Sequence, residues 1–280
     1  MPARLVRLPA SQFSSSASSS ASSSERRTPA STMTTTGPRN GSLLVHGGSS
    51  SGQLDRETIA RFVALAGGPG SDVVYIPTAE EETKLSQKNG DTGRFHGLNS
   101  TVLHTRDQGQ ANSDSFVEPI RKARAVFIEG GRQPRLAESY LNTKTHQELE
   151  SLLERGGVVA GTSAGATMIG SFLIRNQGAP GYDPDVVLDP DHPSEGFGFL
   201  RNVAIDQHIS ARGREHDLVP VIESHPGLLG IGIDEYTAIH VRGGEFEVIG
   251  EGQVYIHDGV VPWYMLTRGA RFDLRAMRAI

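Results

Sequence analysis

Residues 157–166 read GVVAGTSAGA. An apolar run stops at Gly161, and Ser163 is followed at once by Ala164 and Gly165. The run has the length of a buried strand, and the small residues suit a chain that turns sharply from strand into helix. Such a turn holds its serine in a strained conformation with the hydroxyl exposed, and bulkier neighbours would collide across it. A plainer reading competes: an ordinary strand–helix turn in which Ser163 only caps the helix. The Gly-x-Ser-x-Gly pattern is too short to decide between them by itself.

The surroundings tip the balance. From Ser42 onward, short apolar runs alternate with segments of helical spacing: SLLVHGG, then LDRETIARFVALAG, DVVYIPTA, STVLHT, SDSFVEPIRKA, AVFIEGG, helical material to Arg155, GGVVAG, and a helix from about Ala164 to Phe172. Continuous apolar strands separated by amphipathic helices predict a mostly parallel sheet sandwiched by helices, an α/β fold. In such sheets, sites gather at the carboxyl ends of strands, where Ser163, Gly130 and Gly131 fall. An irregular insertion rich in Pro and Asp, NQGAPGYDPDVVLDPDHPSEG, follows. Strands then return as NVAID, GIGID, TAIHV, FEVIG and QVYIHDG. The last three read as antiparallel, with turns at RGGE and GEGQ, so residues 41–280 form one domain with a β-rich C-terminal edge.

Composition narrows the chemistry. The chain has 280 residues, a formal charge of −5 and no cysteine, which excludes disulfides, thiolate zinc sites and a cysteine nucleophile. No apolar run approaches the roughly 18 residues of a membrane span, and no metal-ligand spacing or cofactor motif appears. Residues 1–40 carry five arginines against Glu25, a net of +4, which leaves −9 on the other 240 residues. An acidic body argues against nucleic acid as a partner, because phosphate binding needs a basic face. Ten of the fourteen residues from Ser11 to Ser24 are serine, so this Ser/Arg-rich segment is expected to be disordered. Its composition is that of an organelle transit peptide, or equally of a solvated tail on a cytoplasmic protein. A homodimer is compatible with the sequence and not required by it.

A serine hydroxyl needs a base, usually a histidine held by a carboxylate. Of the ten histidines, two are placed to serve as that base and a third bears on the choice. His46 in VHGG resembles the oxyanion loop of α/β-hydrolases, and His257 in IHDG could close a Ser–acid–His order; together they describe an esterase. His208, in IDQHISARGRE, follows an apolar strand and is flanked by Asp206, Gln207, Arg212 and Arg214. So many polar groups beside a core strand suggest a pocket rather than packing.

At this point GTSAGA, DQHISARGR and GIGIDEYTAI, in that order, together with VFIEGGRQPRL, closely resemble the cyanophycinases and their relatives in the peptidase E group of serine peptidases. The resemblance runs from about Gly41 to Gly259 and implies a class I glutamine-amidotransferase-like sandwich. It makes Ser163 the nucleophile, His208 the general base and Glu235 the acid, with Asp234 as local competitor. His46 and His257 become structural on this reading. The implied oxyanion hole uses the N–H groups of Ala164 and Gly131. The implied substrate pocket uses Gln133, Asp206, Gln207, Arg212 and Arg214, without cofactor or metal. The implied activity is hydrolysis of β-aspartyl linkages in β-Asp-Arg peptides or cyanophycin through an acyl-enzyme, with an isoaspartyl or acidic dipeptidase as the alternative. Two positions depart from the family pattern. Arg132 stands where an aspartate is usual, and Asp217 where an arginine is. Either the two exchange roles across the pocket or they pair with each other.

Overall fold

Strands that are apolar throughout need cover on both faces, and the chain supplies it with helices and with a second sheet. The computed structural model describes residues 34–82, 95, 97–178 and 182–280. The first five strands, β1 (Ser42–His46), β2 (Asp72–Ile76), β3 (Asn99–Val102), β4 (Ala125–Ile128) and β5 (Val158–Thr162), lie parallel in the order β3-β2-β4-β5-β1. Every residue of β1, β4 and β5 is buried. This is the parallel core expected from the alternation.

The chain then leaves that sheet. β6 (Gly170–Phe172), β7 (Leu200–Gln207) and β8 (Leu229–Ile233) run parallel in a separate sheet. β9 (Thr237–Arg242) and β10 (Glu245–Gly250) return to the first, where β9 pairs antiparallel with β1. β11 (Gln253–His257) and β12 (Tyr264–Thr267) complete the second sheet, and β13 (Arg271–Asp273) and β14 (Arg278–Ala279) the first. The turn at RGGE joins an antiparallel pair as expected. The turn at GEGQ does not: β11 pairs with β8 instead of β10, because the chain crosses between sheets there. The helix after Ser163 is also shorter than expected. It covers Ala164–Ile169, and Gly170 passes into extended backbone so that β6 can pair with β7.

The helix Ala164–Ile169 is buried along its whole length and packs against β5 and β7, one strand from each sheet. One apolar cluster likewise joins Val45 and Val159 of the first sheet to Val203 and Ile231 of the second. Burial on this scale, at about 25 cal/mol per Å² of apolar surface removed from water, is what holds the two sheets together. The carboxyl ends of β1, β5, β7 and β8 consequently meet at one place.

Residues 34–40, ahead of the expected boundary, are paired with the domain they precede. Thr36 exchanges two backbone hydrogen bonds with Arg201, Gly37 N–H donates to Gly243 O at 3.1 Å, and Thr35 is buried. The expectation of disorder for residues 1–33 lies outside the described residues. Among the described residues no helix is long and apolar enough to cross a membrane.

Candidate active site

Ser163 has φ 52° and ψ −117°, a conformation that costs a non-glycine residue on the order of 1–3 kcal/mol. Its small neighbours make the turn possible. A Cβ on Gly165 would lie 2.3 Å from the carbonyl oxygen of Ile128, at the end of the adjacent strand β4. Ser163 makes no side-chain cap bond to its helix. Its Oγ instead lies 3.0 Å from His208 Nε2. Ser163 therefore does not cap its helix, and its backbone is strained as a sharp strand–helix turn requires.

His208 follows the last residue of β7 and adopts the left-handed conformation, φ 57° and ψ 36°. That bend turns the ring towards the end of β5. On its other side, Nδ1 lies 2.6 Å from Glu235 Oε1, just beyond β8. The carboxylate accepts from Nδ1–H, which leaves the Nε2 lone pair facing the serine hydroxyl. Burial, with the positive charge of Arg212, outweighs the Glu235 carboxylate and lowers the His208 pKa to about 4. The imidazole is therefore neutral and able to take a proton at neutral pH. For Glu235, burial pushes the carboxyl upward, but hydrogen bonds from His208 and Ser50 and the histidine charge hold it below its usual value. Asp234, the local competitor, is engaged elsewhere: it accepts from Ser210 N–H and hydroxyl and from Gln253 N–H.

The Gly130–Gly131 turn lies directly against the serine, since a Cβ on Gly130 would come within 2.9 Å of Ser163 Cβ. Gly130 N–H donates to Glu129 Oε1 at 3.0 Å. Gly131, at φ 136°, has an N–H without an acceptor among the described residues. Ala164 is the first residue of its helix, and its N–H has no intrahelical acceptor. Two free donors thus flank Ser163.

The two other histidines lie away from this line. His257 is buried at the opposite end of β8 from Glu235, paired with Gly230. His46 is 1% exposed and bonded to Thr162 and Gly48. The glycines that follow it pack on His208 rather than forming an oxyanion loop, which removes the basis for the esterase reading.

Of the expected pocket residues, Gln133, Asp206, Gln207 and Arg214 are buried and Arg212 is exposed. Gln133 is buried, with Nε2 donating to Ile174 O and Oε1 accepting from Tyr182 OH at 3.3 Å. Asp206 is fully buried in an ion pair with Arg175, 2.8 Å from Nη2. Arg214 is buried, donates to Pro184 O and lies 4.0 Å from Asp217. Gln207 is buried, and its Oε1 has no hydrogen-bond partner among the described residues. Arg212 is exposed, one turn beyond His208, and its backbone N–H donates to His208 O. Arg132 and Asp217 do not pair with each other. Arg132 lies with its guanidinium 5.1 Å from the centre of the Tyr182 ring, while Asp217 Oδ2 is 2.5 Å from Arg175.

Two residues here escaped the sequence reading. Arg175 is the largest fully buried side chain in the chain's described part, and it binds Asp206, Asp217 and the carbonyl of Pro184. Its signal was present: a lone arginine ending the apolar run SFLI must find buried acids. Tyr182 lies in the insertion and is within reach of the charges of Arg175, Arg214, Arg132 and Arg212; burial still keeps its phenol above the ordinary value. No periodicity marks it.

The family model described as peptidase family S51 matches residues 43–249. A cyanophycinase of Geminocystis herdmanii is 33% identical over 225 residues, covering 78% of this chain and 80% of its own length. A cyanophycinase of a Nostoc species is 31% identical over 227 residues, covering 78% and 73%. Among solved structures, a peptidase from an acI-B1 Actinobacterium superposes with a TM-score of 0.68 at 25% identity, over 85% of this chain and 98% of that one. A putative peptidase E protein from Listeria monocytogenes EGD-e shares the fold, with a TM-score of 0.54 at 17% identity over 76% and 100%.

Proposed function

This chain belongs to peptidase family S51, and we propose that it hydrolyses β-aspartyl peptides, β-Asp-Arg linkages among them, with Ser163 as nucleophile, His208 as base and Glu235 as the acid that orients it. The observation that carries this reading is the unbroken line Ser163 Oγ–His208 Nε2 at 3.0 Å and His208 Nδ1–Glu235 at 2.6 Å, built on a strained elbow. His208 takes the hydroxyl proton as Oγ attacks the carbonyl carbon. The developing oxyanion is received by the N–H groups of Gly131 and Ala164. His208 then returns the proton to the leaving amine, and a water, deprotonated by the same ring, releases the acyl group. Glu235 stays ionised and stabilises the imidazolium.

Charge accounting around the elbow supports a carboxylate-bearing substrate. Asp206 and Asp217 are already spent on Arg175 and Arg214. Arg132 and Arg212 have no carboxylate within ion-pair distance among the described residues. A β-aspartyl peptide carries a free α-carboxylate beside its scissile bond, which an arginine grips in two-point fashion. Gln207 Oε1 is available to accept from the adjoining ammonium. The Gln133, Asp206 and Arg214 side chains then act as walls of this pocket, with Arg175 holding Asp206 in place. We also assign the fold to the class I glutamine-amidotransferase-like group and the peptidase unit to residues 41–280, with residues 34–40 as a packed lead-in.

A panel of β-Asp-Arg polymer, β-Asp-Arg dipeptide, the matching α-linked peptides and simple esters tests the reading. Cleavage of β-linked peptides in preference to α-linked ones is the expected result. Preferential cleavage of α-linked peptides or esters would overturn the substrate class.

A further inference from the structure

The geometry points to His46 as a positioning residue for this reaction: through its Nδ1 it fixes the Gly47–Gly48 turn against which the His208 ring is seated. The inference rests on the reading of Ser163 and His208 as nucleophile and base. It adds a residue that touches neither the substrate nor the reacting atoms.

His46 ends β1, opposite Thr162 at the end of β5 in the parallel register. Its carbonyl accepts the N–H of Ser163 at 3.0 Å. Its ring Nδ1 accepts the N–H of Gly48 at 3.1 Å and lies 2.9 Å from Thr162 Oγ1, the residue before the serine. A backbone N–H can only donate, so Nδ1 must carry its lone pair, and the proton of the neutral ring sits on Nε2. Nε2 points at Asp55 Oδ2, 3.4 Å away, and Asp55 Oδ1 in turn caps the helix Arg56–Leu65.

What the ring holds is a turn with a specific load. Gly48 has φ 92°, and a Cβ there would lie 2.4 Å from His208 Cε1 and 2.5 Å from Nε2. Its peptide is therefore in direct contact with the edge of the imidazole that faces Ser163. The same turn holds the backbones on both sides of that ring. Gly47 O accepts His208 N–H at 3.0 Å, and Gly48 O accepts the N–H of Tyr236, next to Glu235, also at 3.0 Å. One residue thus reaches the seats of Ser163, His208 and Glu235. Of its contacts, those with Gly48 and Thr162 depend on its Nδ1 and that with Asp55 on its Nε2, while the Ser163 contact is made by its backbone. A displacement near 1 Å of a catalytic group, even one caused from outside the reacting atoms, costs about 100-fold.

Two amide substitutions separate the role of Nδ1 from that of Nε2. In His46→Asn the amide oxygen occupies the Nδ1 position; in His46→Gln the longer side chain carries its amide NH2 to the Nε2 position, donating towards Asp55, and leaves Gly48 N–H without an acceptor. Turnover of β-Asp-Arg dipeptide should fall no more than about threefold in His46→Asn and by about 10–100-fold in His46→Gln, with KM changed less than about threefold in both. The ring of His208, followed by NMR in protein carrying 13C at histidine Cε1 and assigned with His208→Gln, supplies a readout independent of substrate. Releasing Gly48 admits water to a ring whose titration is lowered by burial to about 4. Its midpoint should therefore rise towards the ordinary histidine value in His46→Gln and stay low in His46→Asn. Equal turnover losses in the two variants, or an unmoved His208 titration in His46→Gln, would overturn the inference. If the wild-type protein cleaves no β-aspartyl peptide, the proposed function falls, and the NMR comparison alone decides the positioning role.

Discussion

Ser163, His208 and Tyr236, the neighbour of Glu235, all hold positive φ angles, and each of these bends aims a side chain or its neighbour at a common point. Three groups acting as one unit should fail as one unit. Ser163→Ala, His208→Ala and Glu235→Gln should each reduce kcat by orders of magnitude in steady-state assays, Glu235→Gln least, and the double variants should lose little more than the worst single one. His257→Ala should retain most activity. The pH dependence follows from the same residues. His208 must be neutral to act as base, and its pKa is lowered to about 4 by burial and by Arg212. The kcat/KM profile should stay level from neutral pH down to well below the ordinary histidine value of about 6.5 and fall only as pH drops through about 4. Arg212→Gln removes one of the charges that lowers this pKa, so the acid limb should move to higher pH. A limb near 6.5 in the wild-type profile would contradict the burial account. Ser163 and His208 were legible because short motifs surround them, whereas between the adjacent Glu235 and Asp234 only the family resemblance chose, since nothing local to the two carboxylates tells them apart. His46 was legible as structural but not as the residue that fixes the Gly47–Gly48 turn. Arg175 left only the local signal of an arginine ending an apolar run, and its partners could not be paired with it because Asp206 and Asp217 lie 31 and 42 positions away in sequence.

At the scale of elements, the glycine of the elbow carries a packing load as well as a turn. A Cβ at Gly165 would come within 2.3 Å of the Ile128 carbonyl and 2.8 Å of its carbon, both backbone atoms that cannot swing away. Gly165→Ala should destabilise the fold by about 3 kcal/mol, read as a lower midpoint in denaturant, and should reduce turnover even in the folded fraction. A variant as stable and active as the wild type would mean that helix and strand can separate without harm. The parallel strands β1, β2, β4 and β5 were visible in the sequence since burial on both faces leaves an uninterrupted apolar run. The partition into two sheets was not. β10 and β11 are joined by a short turn of the kind that closes hairpins, and nothing local distinguishes a return to the same sheet from a crossing to the other. β12, β13 and β14, four residues or fewer each, are too short for any period to appear.

Across the whole molecule, the N-terminal boundary separates two truncations. Removing residues 1–33 should leave melting temperature and turnover unchanged. Removing residues 1–40 also deletes the Thr36–Arg201 bridge, the Gly37–Gly243 bond and the Asn202–Thr35 contact. At about 0.5–1.5 kcal/mol net per buried hydrogen bond, calorimetry should show a Tm lower by several degrees. Equal melting temperatures would place the working boundary at residue 40 after all. In the proposed mechanism the two sheets converge to bring Ser163 against His208 as a nucleophile. Mass spectrometry of the protein quenched in acid during turnover of a β-aspartyl peptide tests it most directly. An added acyl mass mapping to the peptide that contains Ser163, absent in Ser163→Ala, is the predicted result. An adduct on another residue, or undiminished hydrolysis by Ser163→Ala, would contradict it.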